Sequence, residues 1–158
     1  MFIRRFLPRD GEAVASMVAK TLREVSSKDY DNEYIEDLIS RWPAQYFIKS
    51  SQVNHFYVLV DNDEIVGCGA IGPYMDRSDE SILLSIFVHP SYQGRGLGKK
   101  ILETLEADEY FLRSRRIELP ASLTAENFYL KMGYIYKNGK RKINNLLLVE
   151  MEKVLVEK

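Results

Sequence analysis

Val88-His89-Pro90-Ser91-Tyr92-Gln93-Gly94-Arg95-Gly96-Leu97-Gly98-Lys99 joins an apolar strand to an amphipathic helix. Before it, Ser81-Ile82-Leu83-Leu84-Ser85-Ile86-Phe87-Val88 is a β-rich run. Pro90 has no amide to give a ladder, so the strand ends near His89. After it, Ile101, Leu102, Leu105, Ala107 and Leu112 make a helical stripe from about Gly98 to Arg113. No Ser, Thr, Asp or Asn stands where the N-cap belongs, so the first-turn amides lack their usual side-chain partner. Glycines there leave the backbone open to an anion, and positive φ is expected at Gly96 and Gly98.

Two familiar phosphate loops fail on the letters. A P-loop needs Gly five residues before Gly-Lys-Ser/Thr, but Gln93 holds that place and Lys100 follows Gly98-Lys99. A dinucleotide fingerprint needs Gly-x-Gly-x-x-Gly, whereas Gly94, Gly96 and Gly98 are spaced two and two. By itself the run fits an anion seat or a flexible strand-to-helix turn equally well.

Composition sets bounds. The 158 residues suit one domain over the whole chain, 1–158. Lys plus Arg total 22 against 23 for Asp plus Glu, so no net charge favours nucleic acid or an anionic membrane. No apolar run reaches a membrane span, and the N-terminus does not read as a signal peptide. Cys68 is the sole cysteine, and His55 and His89 lie far apart, so no metal cluster is expected. The expected compartment is the cytoplasm.

Other elements follow from periodicity. Phe2–Leu7 reads as a strand. Asp10 can cap a helix bearing Ala13, Val14, Met17, Val18 and Leu22. A second helix follows Asn32 and stops at Pro43. Phe56–Val60 and Glu64–Ile71 form a hairpin, and Ile117–Leu119 is a short strand. A helix from about Thr124 ends at Gly133, and Tyr134–Ile143 and Leu146–Val154 close the chain as strands.

Gln93-Gly94-Arg95-Gly96-Leu97-Gly98 resembles the Q/R-x-x-G-x-G/A loop of the GNAT superfamily of acyl-CoA-dependent N-acetyltransferases. About thirty residues on, Ala125-Glu126-Asn127-Phe128-Tyr129-Leu130-Lys131-Met132-Gly133-Tyr134 is similar to that family's A-x-x-F-Y-x-K-x-G-F. The two blocks occur in the family's order, and the element order fits nearly the whole chain.

The resemblance implies an α/β fold of mixed α+β character. A central, mixed, splayed seven-stranded sheet would be flanked by helices in the order β-α-α-β-β-β-α-β-α-β-β. The Ser81 and Ile117 strands would run parallel and part at their C-terminal ends. It implies a transfer of acetyl from acetyl-CoA to a primary amine by direct attack in a ternary complex, without metal. Main-chain groups of Ile86, Phe87 and Val88 would hold pantetheine. The backbone of Gln93, Gly94, Arg95, Gly96, Leu97, Gly98 and Lys99 would hold the pyrophosphate, with Arg95 and Lys99 adding charge, and Asn127 would contact the cofactor chain.

Tyr129 is the implied general acid toward the departing thiolate. A phenol near ~10 giving a proton to a thiolate whose acid is near ~8.5 is uphill, so early hydrogen bonding to the developing charge is its useful contribution. An alkyl ammonium near ~10.4 must lose a proton before it attacks. The strand before the loop carries no mid-strand acid. Glu80 at its start is the candidate base, with a water relay or Glu33 as alternatives. Cys68 reads as a small buried residue.

Tyr30, Tyr34, Trp42, Tyr46 and Tyr74 are candidates to line the acceptor site, with Asp29, Asp31, Glu33, Glu36 and Asp37 as attractors of a cationic amine. Lys137, Lys140, Arg141 and Lys142 form a basic run open to an anionic acceptor. A small-molecule amine is the leading acceptor. A protein N-terminus or lysine is the second reading, and a CoA-binding regulatory module without turnover is the third. The expected partners are acetyl-CoA and the amine, with neither nucleic acid nor membrane; a homodimer stays open.

Overall fold

The computed structural model describes residues 1–155. Seven strands form one sheet in the order β1-β2-β3-β4-β5-β7-β6. They are β1 Phe2–Arg5, β2 His55–Asp61, β3 Glu64–Pro73, β4 Glu80–Val88, β5 Arg116–Ser122, β6 Ile135–Tyr136 and β7 Leu148–Val154. All neighbours are antiparallel except β4 and β5. Six helices cover the sheet: α1 Gly11–Glu24, α2 Asn32–Arg41, α3 Ala44–Val53, α4 Leu97–Glu106, α5 Glu109–Leu112 and α6 Glu126–Lys131. Among the described residues no helix is long and apolar enough to cross a membrane.

Side chains that alternate across the strands feed two cores. Phe56, Val58 and Val60 of β2 meet Val14, Met17 and Val18 of α1, Ile35 of α2 and Phe47 of α3 on one face. Leu59 of β2, Leu83 of β4 and Ile117 and Leu119 of β5 meet Leu97, Ile101, Leu102 and Leu105 of α4 on the other. The expected splayed mixed sheet is present, with helices on both faces.

The splay has a local cause. β4 and β5 pair only at Glu80–Arg116, Ser81–Ile117 and Ile82–Glu118, and then separate. Three residues on, the β3–β4 register slips: Cys68 faces Phe87, but Ala70 faces Leu84. Ser85 carries the extra residue at φ 55°, and its carbonyl accepts from Cys68 Sγ at 3.2 Å. An inserted residue bends its strand and raises its twist, which here turns β4 away from β5.

Four expectations are corrected. A helix over Ala44–Val53 follows Pro43 where the sequence reading placed none; its single deeply buried side chain, Phe47, is too few to make a stripe. Asp10 does not cap α1: its carboxylate takes both Arg4 Nη atoms at 2.8 and 3.0 Å and the Leu7 amide at 2.7 Å. The helix expected to run to Arg113 breaks at Ala107, because Asp108 caps α5 through the Tyr110 amide and also accepts from the Tyr57 hydroxyl. The strand expected over Tyr134–Ile143 shrinks to Ile135–Tyr136, since Asn138 and Gly139 turn the chain at φ 57° and 74°. The turn into β7 is made at Asn144, whose side chain accepts the Leu146 and Leu148 amides.

Candidate active site

Two cavities lie in the gap between the diverging strands. The larger, about 310 Å³, is lined by Ile86, Phe87, Val88, Gln93, Gly94, Gly96, Leu97, Gly98 and Lys99. From the opposite side come Thr124, Ala125, Phe128 and Tyr129. The loop residues are thus brought to the mouth of the splay, as α4 begins there.

The loop is an anion cradle by geometry. Gly94 and Gly96 both have φ 75°, and a Cβ at either would meet nothing within 4 Å. Gly96 is the N-cap of α4 and offers no side chain to cap it. The first intrahelical bond runs from the Lys100 amide to the Gly96 carbonyl, so the Leu97, Gly98 and Lys99 amides have no partner in the helix. A bound anion would complete them and meet the positive end of the helix dipole. Gly98 departs from expectation: its φ is not positive, and what it provides is close packing against Phe128.

Other expected contacts separate. Arg95 turns outward, its guanidinium 4.9 Å from the Tyr92 ring. Asn127 is exposed and lines neither cavity. The Val88 carbonyl already accepts from Gln93 Nε2 at 2.6 Å and from Thr21 Oγ1 at 3.3 Å, which fixes the loop to the strand end. The sequence reading passed over Thr124. Its hydroxyl is buried on the cavity wall without a hydrogen-bond partner among the described residues. Ser122, which caps this turn through the Ala125 amide at 3.2 Å, is the signal that places it.

The smaller cavity, about 160 Å³, lies on the α1–α2 side. Tyr30, Tyr34, Trp42 and Tyr46 line it as expected; Tyr74 does not, and instead lies beside Arg116 and Lys137. Tyr30 and Tyr34 stack with ring centres 5.0 Å apart. The Tyr30 hydroxyl donates to the Leu147 carbonyl at 2.7 Å and accepts the Leu123 amide at 2.9 Å, and the Tyr34 hydroxyl donates to the Leu146 carbonyl. These bonds draw the turn before β7 over the cavity.

Ser26, Ile86, Phe87, Ser122 and Tyr129 line both cavities. Tyr129 is 5 % exposed, and burial alone holds its phenol well above the ordinary value. The Cys68 thiol, fully buried behind β4, is pushed up to about 12 by the same cause and is no nucleophile at neutral pH.

The acidic candidates lie elsewhere. Glu80 is six residues, ~20 Å of extended strand, before Ile86. It accepts from Arg116 Nη1 at 2.9 Å, and Glu118 and Glu152 take the same guanidinium at 2.5 Å each. Glu80 therefore sits in an ion-pair cluster at the closed end of the splay and lines neither cavity. Asp29, Asp31, Glu33, Glu36 and Asp37 are exposed and line neither cavity. The basic run is largely neutralised within the fold: Lys137 pairs with Glu118, Arg141 with Glu126 and Lys142 with Glu150.

Residues 52–136 match the family model of the acetyltransferase (GNAT) domain. The fold is similar to that of a GCN5-related N-acetyltransferase from Rhodopseudomonas palustris, at 22 % identity and TM-score 0.79, covering 98 % of this chain and 95 % of that one. It is also similar to the PaiA N-acetyltransferase of Thermoplasma acidophilum in complex with coenzyme A, at 18 % identity and TM-score 0.79, covering 97 % and 98 %. A GNAT-family acetyltransferase of Staphylococcus aureus Mu50 aligns at 16 % identity and TM-score 0.72, covering 98 % and 99 %. No curated protein matches the chain.

Proposed function

The chain belongs to the GNAT acetyltransferase family, and from that premise we propose that it moves an acetyl group from acetyl-CoA to the primary amine of a small molecule by direct attack. The observation that carries this reading is the meeting of two cavities at Tyr129, one walled by the glycine loop and the other by aromatic rings. A donor and an acceptor entering from opposite sides would touch there, as a ternary complex requires.

The cradle fits a CoA pyrophosphate on three counts: open positive-φ glycines, partnerless first-turn amides, and the orphaned Thr124 hydroxyl. Acetyl-CoA supplies the activated thioester carbonyl. Backbone amides of Leu97, Gly98 and Lys99 would hold the phosphates, Lys99 would add charge, and the β4 edge at Ile86 and Phe87 would receive the pantetheine arm. Phe128 would wall off the arm, and Tyr129, which lines both cavities, would offer its hydroxyl to the sulfur.

Burial makes the Tyr129 phenol a weaker acid than usual. The same dry surroundings also raise the basicity of a leaving thiolate, so the two effects offset. Its hydrogen bond acts on charge that grows only as the carbon–sulfur bond breaks, which makes it selective for the transition state.

The reading also carries the single-domain expectation and holds the whole described chain to one catalytic unit. It is tested by thiol release from acetyl-CoA over an amine panel, with CoA affinity measured by calorimetry. Turnover with some amine and CoA binding lost on Gly96→Val support it. CoA binding with no turnover for any amine would leave a binding module and overturn it.

A further inference from the structure

We propose that the acceptor is an apolar primary amine with the bulk of about one aromatic ring, taken into the Tyr30–Trp42 cavity as the uncharged free base. This rests on the acetyltransferase reading above and names the acceptor class of that same site.

Size argues first. At about 160 Å³ the cavity matches the volume of an engineered apolar cavity that holds a benzene ring and stays dry. Its walls are the rings of Tyr30, Tyr34, Trp42 and Tyr46 with aliphatic side chains such as Leu38 and Leu119. The hydroxyls of Tyr30 and Tyr34 are already spent on the Leu147 and Leu146 carbonyls, so neither is a free donor to the cavity.

Charge argues second. Among the described residues no carboxylate, histidine, lysine or arginine lines this cavity. Its titratable groups are the phenols of Tyr30, Tyr34, Tyr46 and Tyr129, each held above its ordinary value first by burial. None of these can take a proton at neutral pH. Where the two cavities meet, the polar side chains among the described residues are the hydroxyls of Ser26, Ser122 and Tyr129; Lys99, the one charged wall residue of the larger cavity among them, belongs to the glycine loop. An ammonium placed there would be desolvated without a counter-ion, which lowers its affinity for its proton. The cavity thus replaces a general base by desolvation: the proton is left in bulk water on entry.

The transfer then balances within the site. The nitrogen lone pair forms the C–N bond, and the C–S bonding pair goes to sulfur. The proton shed by nitrogen ends on sulfur through the Tyr129 phenol, so amide and thiol leave neutral.

The test compares kcat/KM with acetyl-CoA for benzylamine, the less basic O-benzylhydroxylamine and 1,4-diaminobutane across pH. Trp42, the only tryptophan, reports binding of the neutral product N-benzylacetamide to the CoA-loaded enzyme by its emission. We expect benzylamine to exceed the diamine roughly 100-fold, because the diamine would bury a second, unpaired ammonium. The rising limb of the pH profile should bend at the acceptor's own pKa and move down with O-benzylhydroxylamine. Ser26→Asp should narrow the preference against the diamine at least tenfold by supplying a counter-ion.

Equal or better use of the diamine overturns the proposal, as does a bend at one fixed pH for both ring acceptors. A preference for benzoyl-CoA with a small aliphatic amine also overturns it, since the cavity would then serve the acyl group. If no amine is acetylated but N-benzylacetamide still saturates the Trp42 signal, the enzyme reading fails and the apolar ligand class stands. If neither occurs, both fail.

Discussion

Gly98 stands so close to Phe128 that a Cβ built on it would lie 3.3 Å from Phe128 Cζ. Phe128 lines the larger cavity, so a shift of its ring away from Gly98 would change the space assigned to the pantetheine arm. Gly98→Ala gains helix propensity of up to ~1 kcal/mol and loses a similar amount to the contact. We expect stability within about 1 kcal/mol of wild type by urea denaturation, and CoA affinity weakened roughly fivefold by calorimetry. Unchanged CoA affinity would mean that Phe128 does not border the arm.

Tyr129→Phe removes one hydroxyl and leaves the ring against Tyr134, 6.0 Å away between centres. We expect kcat to fall about 100-fold while CoA affinity changes less than about twofold. Because burial raises the Tyr129 phenol above ~10, the phenol stays protonated through the neutral and mildly alkaline range. No falling limb from Tyr129 is therefore expected in a kcat profile up to about pH 10.

Arg116 is held by three carboxylates at once, those of Glu80, Glu118 and Glu152. Burial opposes its charge, but the bonds to Glu152, Glu118 and Glu80 outweigh it and hold the guanidinium more basic than usual. Arg116→Ala removes the cation the three share, leaving Glu118 to Lys137, Glu80 to Arg77 and Glu152 with no cation among the described residues, and should cost about 3–5 kcal/mol in denaturant titrations. Glu80→Gln should lose stability yet keep kcat within about twofold, since it is remote from the junction at Tyr129. A hundredfold loss of kcat in folded Glu80→Gln would restore it as the base.

Glu126 opens α6, the helix that bears Tyr129. Arg141 binds its carboxylate through two nitrogens at 2.7 and 2.8 Å, the Tyr136 hydroxyl adds a third bond at 2.6 Å, and together they push its pKa down to about 2. The folded value lies below the ordinary ~4.3, so the stabilisation is present above that pH and is lost as pH falls toward about 2. Urea midpoints of wild type and Glu126→Gln should therefore converge between about pH 5 and 2. A constant gap down to pH 2 would assign the carboxylate no linked proton.

The local parts of the site were legible in the chain. Glycines every second residue after an apolar strand specify a loop that only glycine can shape, and Gly94 and Gly96 take the positive φ that such a loop needs. Tyr129 four residues after Ala125 puts both on one helix face, and both line the larger cavity. These relations span a few residues, so backbone geometry fixes them.

Where Glu80, Gly98, Asn127 and the acidic residues of α2 lie relative to the cavities was decided only by the tertiary structure. A glutamate at a strand start looks the same whether it faces a cleft or a guanidinium. Arg116 and Glu152, which settle the matter, arrive from 36 and 72 positions further along the sequence through the pairing of β4, β5 and β7. Likewise, no local pattern marks the cavity beside Tyr129 as free of charge. That follows from how the Ser85 bulge parts two strands and from which faces of α1 and α2 turn into the gap, and packing between distant segments sets both.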